Sequence, residues 1–495
     1  MELQASGHLG PFNEPVRHTT SLLSHTCTMN DLPIEVKCMI AFHLRNCDAN
    51  PHGPRDIKQL RLINKAFSDA GAEYLLPEIH LTFQSQSFKR LRTISEHPIY
   101  SQHVESLRYD PNTFGEYHES YELGYEGWVK GTDEMSFIRD CRPFGEVGKE
   151  DEGDCPQLVD GSELEGLKAE MLERYKSYQA VCSDQMSIRS QEDKYNFGLV
   201  VQAVARLPKL AEFKLNFEPG AGTRSNAFKR AYAETLYIPK GDHGHRCPYG
   251  LMQLCSVLVG VASAGTKLKS LDCGKISWEF LKLLEGIYMR RIEPAFKHLD
   301  SFRITLHTGQ GYLDYRAFLF QVYDCYQFSR QHQMCELLSA AKDLKTLSFC
   351  TEETDSIDLD FIVGTTTWAS LRIVELDTIT TGEDQLIEFL KRHGGTLKEL
   401  GLNNIKLAPG DWTLALPRIR DAAKLDEFRA VGSWWAGSIF SVLGYQCWNV
   451  DTSWDSARSN ETTLSQPHKL GIAVNRYVLK GGDCPLLDTT TYPMR

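Results

Sequence analysis

The sequence predicts an α/β chain: a short N-terminal helical module followed by a stacked solenoid of alternating short strands and helices. Two observations carry this. An L-x-x-L-x-L unit with conservative swaps recurs along most of the chain, and helical segments such as FKRLRTI, WEFLKLLEGI and DQLIEFLKRH lie between its copies. The length of 495 residues admits either several compact domains or one extended array with an attachment, and the repeats select the second. With 42% hydrophobic and 24% charged residues, the chain has the composition of a soluble globular protein that can bury a sizeable core.

Residues 1–28 are rich in Ser, Thr, His, Pro and Gly without periodicity and read as a disordered tail. LPIEVKCMIAFHL then places Ile34, Val36, Met39, Ile40 and Leu44 near one helical face, with Pro33 where a first turn tolerates it. NCDANPHGPR is a loop by composition. IKQLRLINKAF puts Ile57, Leu60, Ile63 and Phe67 on one face, with Asp56 as N-cap, and an Ala-rich helical stretch follows. Residues 29–75 thus form a three-helix module. Residues 76–110 open the repeat array, and 111–160, where acidic side chains far outnumber basic ones, form an acidic flexible insertion. Residues 161–431 carry most of the array, and 432–495, with Trp434, Trp435, Trp448 and Trp454, form a C-terminal cap.

The repeat units read Leu76, Ile79, Leu81; Val104, Leu107, Tyr109; Leu210, Phe213, Leu215; Leu268, Leu271, Cys273; and Leu299, Phe302, Ile304. They continue as Leu344, Leu347, Phe349; Leu371, Val374, Leu376; Leu397, Leu400, Leu402; and Leu425, Phe428, Ala430. The last four start about 26 to 28 residues apart, within the leucine-rich-repeat range. Asn404 falls where an Asn side chain commonly satisfies backbone groups in such turns. The outward strand positions are Thr346, Ser348 and Cys350; Ile373, Glu375 and Asp377; Glu399, Gly401 and Asn403; and Glu427, Arg429 and Val431.

A net charge of −11 disfavours general binding to nucleic acid or to anionic membranes. The 14 cysteines form no legible disulfide framework; Cys38, Cys255, Cys273, Cys335 and Cys350 sit among apolar neighbours, which fits a reducing compartment, cytoplasmic or nuclear. His243, His245 and Cys247 are closely spaced metal donors, but no cysteine pair with zinc-site spacing accompanies them, so no metal is expected. There is no G-x-S-x-G elbow, phosphate loop or H-E-x-x-H helix; no catalytic residue and no cofactor are expected. The Trp434-Trp435 pair fits either packing inside the cap or an exposed anchor for a ligand.

Residues 30–68 resemble an F-box in Leu32-Pro33, Glu35, Val36, Ile40 and Leu44, then Asp56-Ile57, Leu60, Ile63, Asn64, Lys65 and Phe67. Asn64 and Phe67 differ from the family's commonest residues. With the repeats that follow, the chain resembles F-box proteins with irregular leucine-rich repeats of the filamentous-fungal type. That resemblance implies a non-catalytic substrate-recognition subunit of a Skp-cullin-F-box ubiquitin ligase. Leu32, Pro33, Glu35, Val36, Ile40, Leu44, Ile57, Leu60, Ile63 and Phe67 would dock a Skp-family adaptor and, through it, a cullin. Thr346, Ser348, Ile373, Glu375, Asp377, Glu399, Asn403 and Arg429 would face an unknown protein substrate. A ubiquitin-independent F-box and leucine-rich-repeat scaffold and an uncharacterised hydrolase or transferase are the alternatives.

Overall fold

The computed structural model describes residues 29–46, 53–111, 161–193, 196–215, 248–307, 315–352, 357–437, 446–451 and 466–487. The chain divides into two compact units, Met1–Leu75 and Leu76–Arg495.

In the first unit a 3-10 turn, Met29–Asp31, precedes α1 (Ile34–Asn46), α2 (Gly53–Leu60) and α3 (Lys65–Leu75). Ala41, Leu60 and Phe67 form its small core, with Leu32, Ile40, Leu44 and Tyr74 packed at the margin. The Asn64 side chain accepts the Phe67 N–H at 2.9 Å and so caps the start of α3. Lys37 is buried with its ammonium 5.4 Å from the Phe67 ring centroid, a placement the ring face stabilises.

The second unit is built on strands β1 (Glu78–Thr82), β2 (Ser106–Asp110), β3 (Glu212–Leu215), β4 (Ser270–Ser277), β5 (Ser301–His307), β6 (Thr346–Glu352), β7 (Ile373–Asp377), β8 (Thr380–Thr381), β9 (Glu399–Asn403), β10 (Lys406–Leu407), β11 (Glu427–Ala436) and β12 (Gln446–Asp451). Its helices are α4 (Ser85–Glu96), α5 (Gly161–Ser190), α6 (Phe197–Val204), α7 (Pro248–Ala264), α8 (Glu279–Leu283), α9 (Ile287–Phe296), α10 (Tyr315–Ser329), α11 (Gln333–Ser339), α12 (Leu359–Val363), α13 (Glu383–His393), α14 (Trp412–Ala422) and α15 (Gln466–Lys480). No helix among the described residues is long and apolar enough to cross a membrane.

All 12 strands belong to one sheet, in the order β1 to β7, then β9, β11, β10 and β8, with β12 on β11. Among the described residues only the β11–β12 pairing is antiparallel. The register aligns one buried side chain from each of nine neighbouring strands: Ile79, Leu107, Phe213, Leu271, Phe302, Leu347, Val374, Leu400 and Phe428. Residues two further on, from Leu81 and Tyr109 to Leu402 and Ala430, are buried on the same side. A parallel sheet with helices on both faces requires apolar side chains at every position. Here the intervening positions are polar, so helices cover one face and leave the other open.

This architecture corrects the expected fold class. The chain does not form an irregular leucine-rich-repeat solenoid behind a three-helix F-box; it is an α/β protein with one large, continuous, mostly parallel sheet. The expectation rested on apolar spacing, and apolar residues at period two are what any sheet with one buried face demands. Registers of three to seven residues join β1 to β7, β9 and β11 laterally into a single ladder rather than a series of separate units. The same reasoning removes the F-box reading of α1 to α3, because a 3.6-residue apolar period is common to any small helical unit. The expected tail 1–28 and acidic insertion 111–160 lie outside the described residues, as do His243, His245 and Cys247.

Candidate functional site: the open face of the sheet

Between the two buried rows runs a third, composed of His80, Arg108, Lys214, Asp272, Arg303, Ser348, Glu375, Gly401 and Arg429, each paired in register with the next across nine strands. At about 4.8 Å per strand the row is ~38 Å long. Glu78, Glu212, Thr346, Ile373, Glu399 and Glu427 flank it on the same face and are at least partly exposed.

The charges along this row are organised around Glu375. Arg303, two strands away on β5, reaches its carboxylate at 3.4 Å, and Arg429, two strands away on β11, reaches it at 3.1 Å. Those reaches are possible because the residues between are small. Ser348 separates Arg303 from Glu375, and Gly401 separates Arg429 from it; a Cβ on Gly401 would lie 3.4 Å from the Glu375 Cγ. Arg429 also contacts Glu399 at 3.4 Å and Glu427 at 2.8 Å. Further along, Arg108 pairs with Glu78 at 2.6 Å and Lys214 with Asp272 at 3.4 Å. These side chains are partly exposed, so each pair contributes little stability, about 0 to 1 kcal/mol. Their effect is to hold a fixed pattern of charge on a rigid surface.

At the end of the row the turns are tied together by amides. Asn404, at φ 49°, donates to Asp377 at 3.0 Å and accepts the Ser433 N–H at 3.1 Å; Asn403 accepts the Val431 N–H at 3.1 Å. Gly432, at φ 87°, makes room for this, since a Cβ there would fall 2.0 Å from the Asn404 Oδ1. Trp434 lies beneath the surface with no exposure, stacked on Trp412, so of its two expected roles it takes packing. Trp435 is half-buried.

The predicted substrate-facing residues fall together: Thr346, Ser348, Ile373, Glu375, Asp377, Glu399, Asn403 and Arg429 occupy adjacent positions on β6, β7, β9 and β11 of the open face. The sequence reading missed His80, Arg108, Lys214, Asp272 and Arg303 in the same row. The available signal was their position between the two strand apolars, as Arg303 sits between Phe302 and Ile304. The predicted adaptor residues do not form one surface. Ile57, Leu60 and Phe67 are interior, Leu32, Val36, Ile40 and Leu44 half-buried, and Pro33, Glu35 and Ile63 exposed.

Other chemistry-bearing groups serve packing. Burial pushes the Cys182 thiol up to about 11, those of Cys255 and Cys325 to about 12, and Cys273 well above its ordinary value. Such thiols stay protonated at neutral pH and are poor nucleophiles. In the cleft beside α13, Arg418 binds both Glu383 and Asp384, at 2.5 and 2.7 Å, so its charged groups satisfy one another. Among the described residues no cluster of His, Cys, Asp and Glu could hold a metal ion.

His393 is buried in the last turn of α13, where its Nε2 accepts the Trp368 N–H at 3.1 Å and its Nδ1 donates to the Phe389 carbonyl at 2.9 Å. Burial holds its pKa below the ordinary value of 6.5. The unfolded chain therefore binds the proton more readily. The stability that the neutral imidazole contributes is present above that value and is lost as the pH falls from it towards the lower folded value. Melting temperature is expected to drop between pH 7 and pH 5, and His393→Gln should flatten that dependence; an unchanged slope would refute the assignment.

No protein-family model matches the chain, and no curated protein matches it. The F-box resemblance thus has no support beyond the spacing that suggested it, and three of its docking residues are interior. The assignments built on it are withdrawn: substrate adaptor of a ubiquitin ligase complex in the Ubl conjugation pathway, and ubiquitin-independent F-box and leucine-rich-repeat scaffold.

Proposed function

We infer that the chain is a non-catalytic recognition protein that holds another protein against the open face of its sheet. The observation that carries this reading is the charge row from His80 to Arg429: a long polar surface on a rigid sheet, centred on the clamped Glu375. Two features favour binding over catalysis. From β1 to β11 the sheet order never reverses, so that stretch lacks the switch-point crevice at which open α/β sheets bind nucleotides and small substrates. The thiols discussed above are held protonated, away from the charge row's solvent surface.

Arginines make strong contact anchors when a partner desolvates them, although the same pairs are weak in water. Arg303→Ala/Arg429→Ala is therefore expected to leave the melting temperature nearly unchanged while weakening partner binding at least tenfold, about 1.4 kcal/mol. The check is affinity purification of the tagged full chain, with recovery of each co-purifying protein compared between wild type and variant. A partner set identical in the two, with both chains folded, would overturn the reading.

A further inference from the structure

We propose that the edge of the sheet at which the strands begin is a second docking strip, shaped for an acidic, extended segment of a partner protein. It rests on residues other than those of the open face. One residue before or at the start of each strand, backbone hydrogen bonds continue the ladder: Lys269 N–H to Ala211 at 2.7 Å, then Asp300 to Lys269, Lys345 to Asp300, Arg372 to Lys345, Lys398 to Arg372 and Asp426 to Lys398, each at 2.8 Å. The side chains of this row are thereby lined up at the strand spacing of about 4.8 Å. Four of them are cations. Immediately before the row, Lys209, Lys267, Lys297, Lys342 and Lys424 are all exposed. In the four residues that precede β3 to β7, β9 and β11, the edge carries nine Lys and Arg against the carboxylates of Asp300, Asp343 and Asp426, in a chain whose total is −11; Glu212, Glu399 and Glu427, the first residues of β3, β9 and β11, belong to the open face.

Internal pairing does not consume the charge of Lys269, Lys345, Arg372 and Lys398. Asp300 stands 3.7 Å from Lys269 and 3.5 Å from Lys345, and Lys398 stands 3.9 Å from Asp426, all long contacts between partly or fully exposed side chains that water screens. Arg372 is exposed and has no ion-pair partner among the described residues. Helices that return between parallel strands end at this edge, and their C-terminal carbonyls favour nearby cations. That accounts for Lys297, which caps α9. It does not account for Lys269, Lys345, Arg372 and Lys398, which lie one residue before their strands, where the ladder hydrogen bonds already run.

The shape and surroundings of the strip select the occupant. Seven strands span ~29 Å, the reach of about nine extended residues. A polypeptide is narrow enough to lie along the edge alone. A nucleic-acid duplex is wider and would overlap the adjoining face, where Glu212, Asp272, Glu375, Asp377, Glu399 and Glu427 outnumber Lys214, Arg303 and Arg429 and repel phosphate. The row from Ala211 through Lys269, Asp300, Lys345, Arg372 and Lys398 to Asp426 contains no aromatic side chain, so the stacking that single strands require is missing from it.

The test is fluorescence anisotropy of the full chain with a labelled Glu-Ser repeat peptide, against single-stranded and duplex DNA oligonucleotides of equal charge. Lys345→Glu/Arg372→Glu/Lys398→Glu should weaken the peptide at least tenfold, and Arg372→Glu alone about threefold. Lys89→Glu/Arg90→Glu, on the exposed side of α4, should have no effect, and neither should Arg303→Ala/Arg429→Ala. That last arm separates failure of this strip from failure of the open face. The proposal is overturned if the wild-type chain does not bind the peptide, if Arg372→Glu binds it as wild type does, or if either DNA binds more tightly.

Discussion

Trp434→Ala is expected to destabilise the second unit by about 4 kcal/mol, the cost of emptying a fully buried indole site. The side chain has no exposure, and its ring lies 4.0 Å from that of Trp412 at an interplanar angle of 20°, with Phe428 edge-on at 6.3 Å. Its indole N–H donates to the Leu402 carbonyl at 3.1 Å, and the Trp412 indole donates to Trp435 at the same distance. Truncation removes the stack and one hydrogen bond together and leaves a cavity lined by aromatic faces. Trp434→Phe keeps the apolar contact and loses the bond, so roughly half the effect is expected. Thermal melting should show a drop of at least about 5 °C for the alanine variant. Hydrogen exchange should place the loosening in β11, β12 and α14. A melting temperature within a degree of wild type would mean that this end of the sheet does not depend on the stacked pair.

The strands were legible because L-x-x-L-x-L places two apolar side chains two residues apart on one face, which is the strand period. FKRLRTI and DQLIEFLKRH lie within α4 and α13. Details of capping were not legible: Gly382 stands at the N-cap of α13, and its N–H donates to the Gln385 side chain at 2.8 Å. The fold label failed for a physical reason. Periodicity reports which residues are buried and is silent about which strand each one meets. Arg303 and Glu375 are 72 residues apart, yet the register places them two strands apart with only Ser348 between them. The open face could therefore be read strand by strand at Thr346, Glu375 and Arg429, while the clamp that organises it could not. The first unit shows the converse. Of the side chains read there as apolar helical faces, Ile57, Leu60 and Phe67 are buried inside the unit as core and not docking surface, while Ile34, Met39 and Ile63 are exposed.

Gly394→Ala tests packing where two rules of opposite sign meet. Gly394, the C-cap of α13, has φ −60°, an ordinary helical value, so alanine costs nothing in backbone strain and by restricting the unfolded chain alone would stabilise by about 0.4 to 1 kcal/mol. Space decides otherwise. A Cβ at this position would sit 2.2 Å from the Ala422 carbonyl oxygen and 3.4 Å from that of Leu390. The nearer atom is backbone at the end of α14, which cannot rotate aside as a side chain can, so α13 and α14 must separate. Overpacking of this kind costs about 1 to 3 kcal/mol, and a clash with main chain falls at the upper end. The neighbouring glycine is the control: a Cβ on Gly395 meets nothing within 4 Å, and its alanine variant should melt at or slightly above the wild-type temperature. Comparing the two melting curves isolates the helix contact from glycine's conformational entropy, which both substitutions change. If both variants are neutral, α13 and α14 are not held as closely as the Gly394 contact requires.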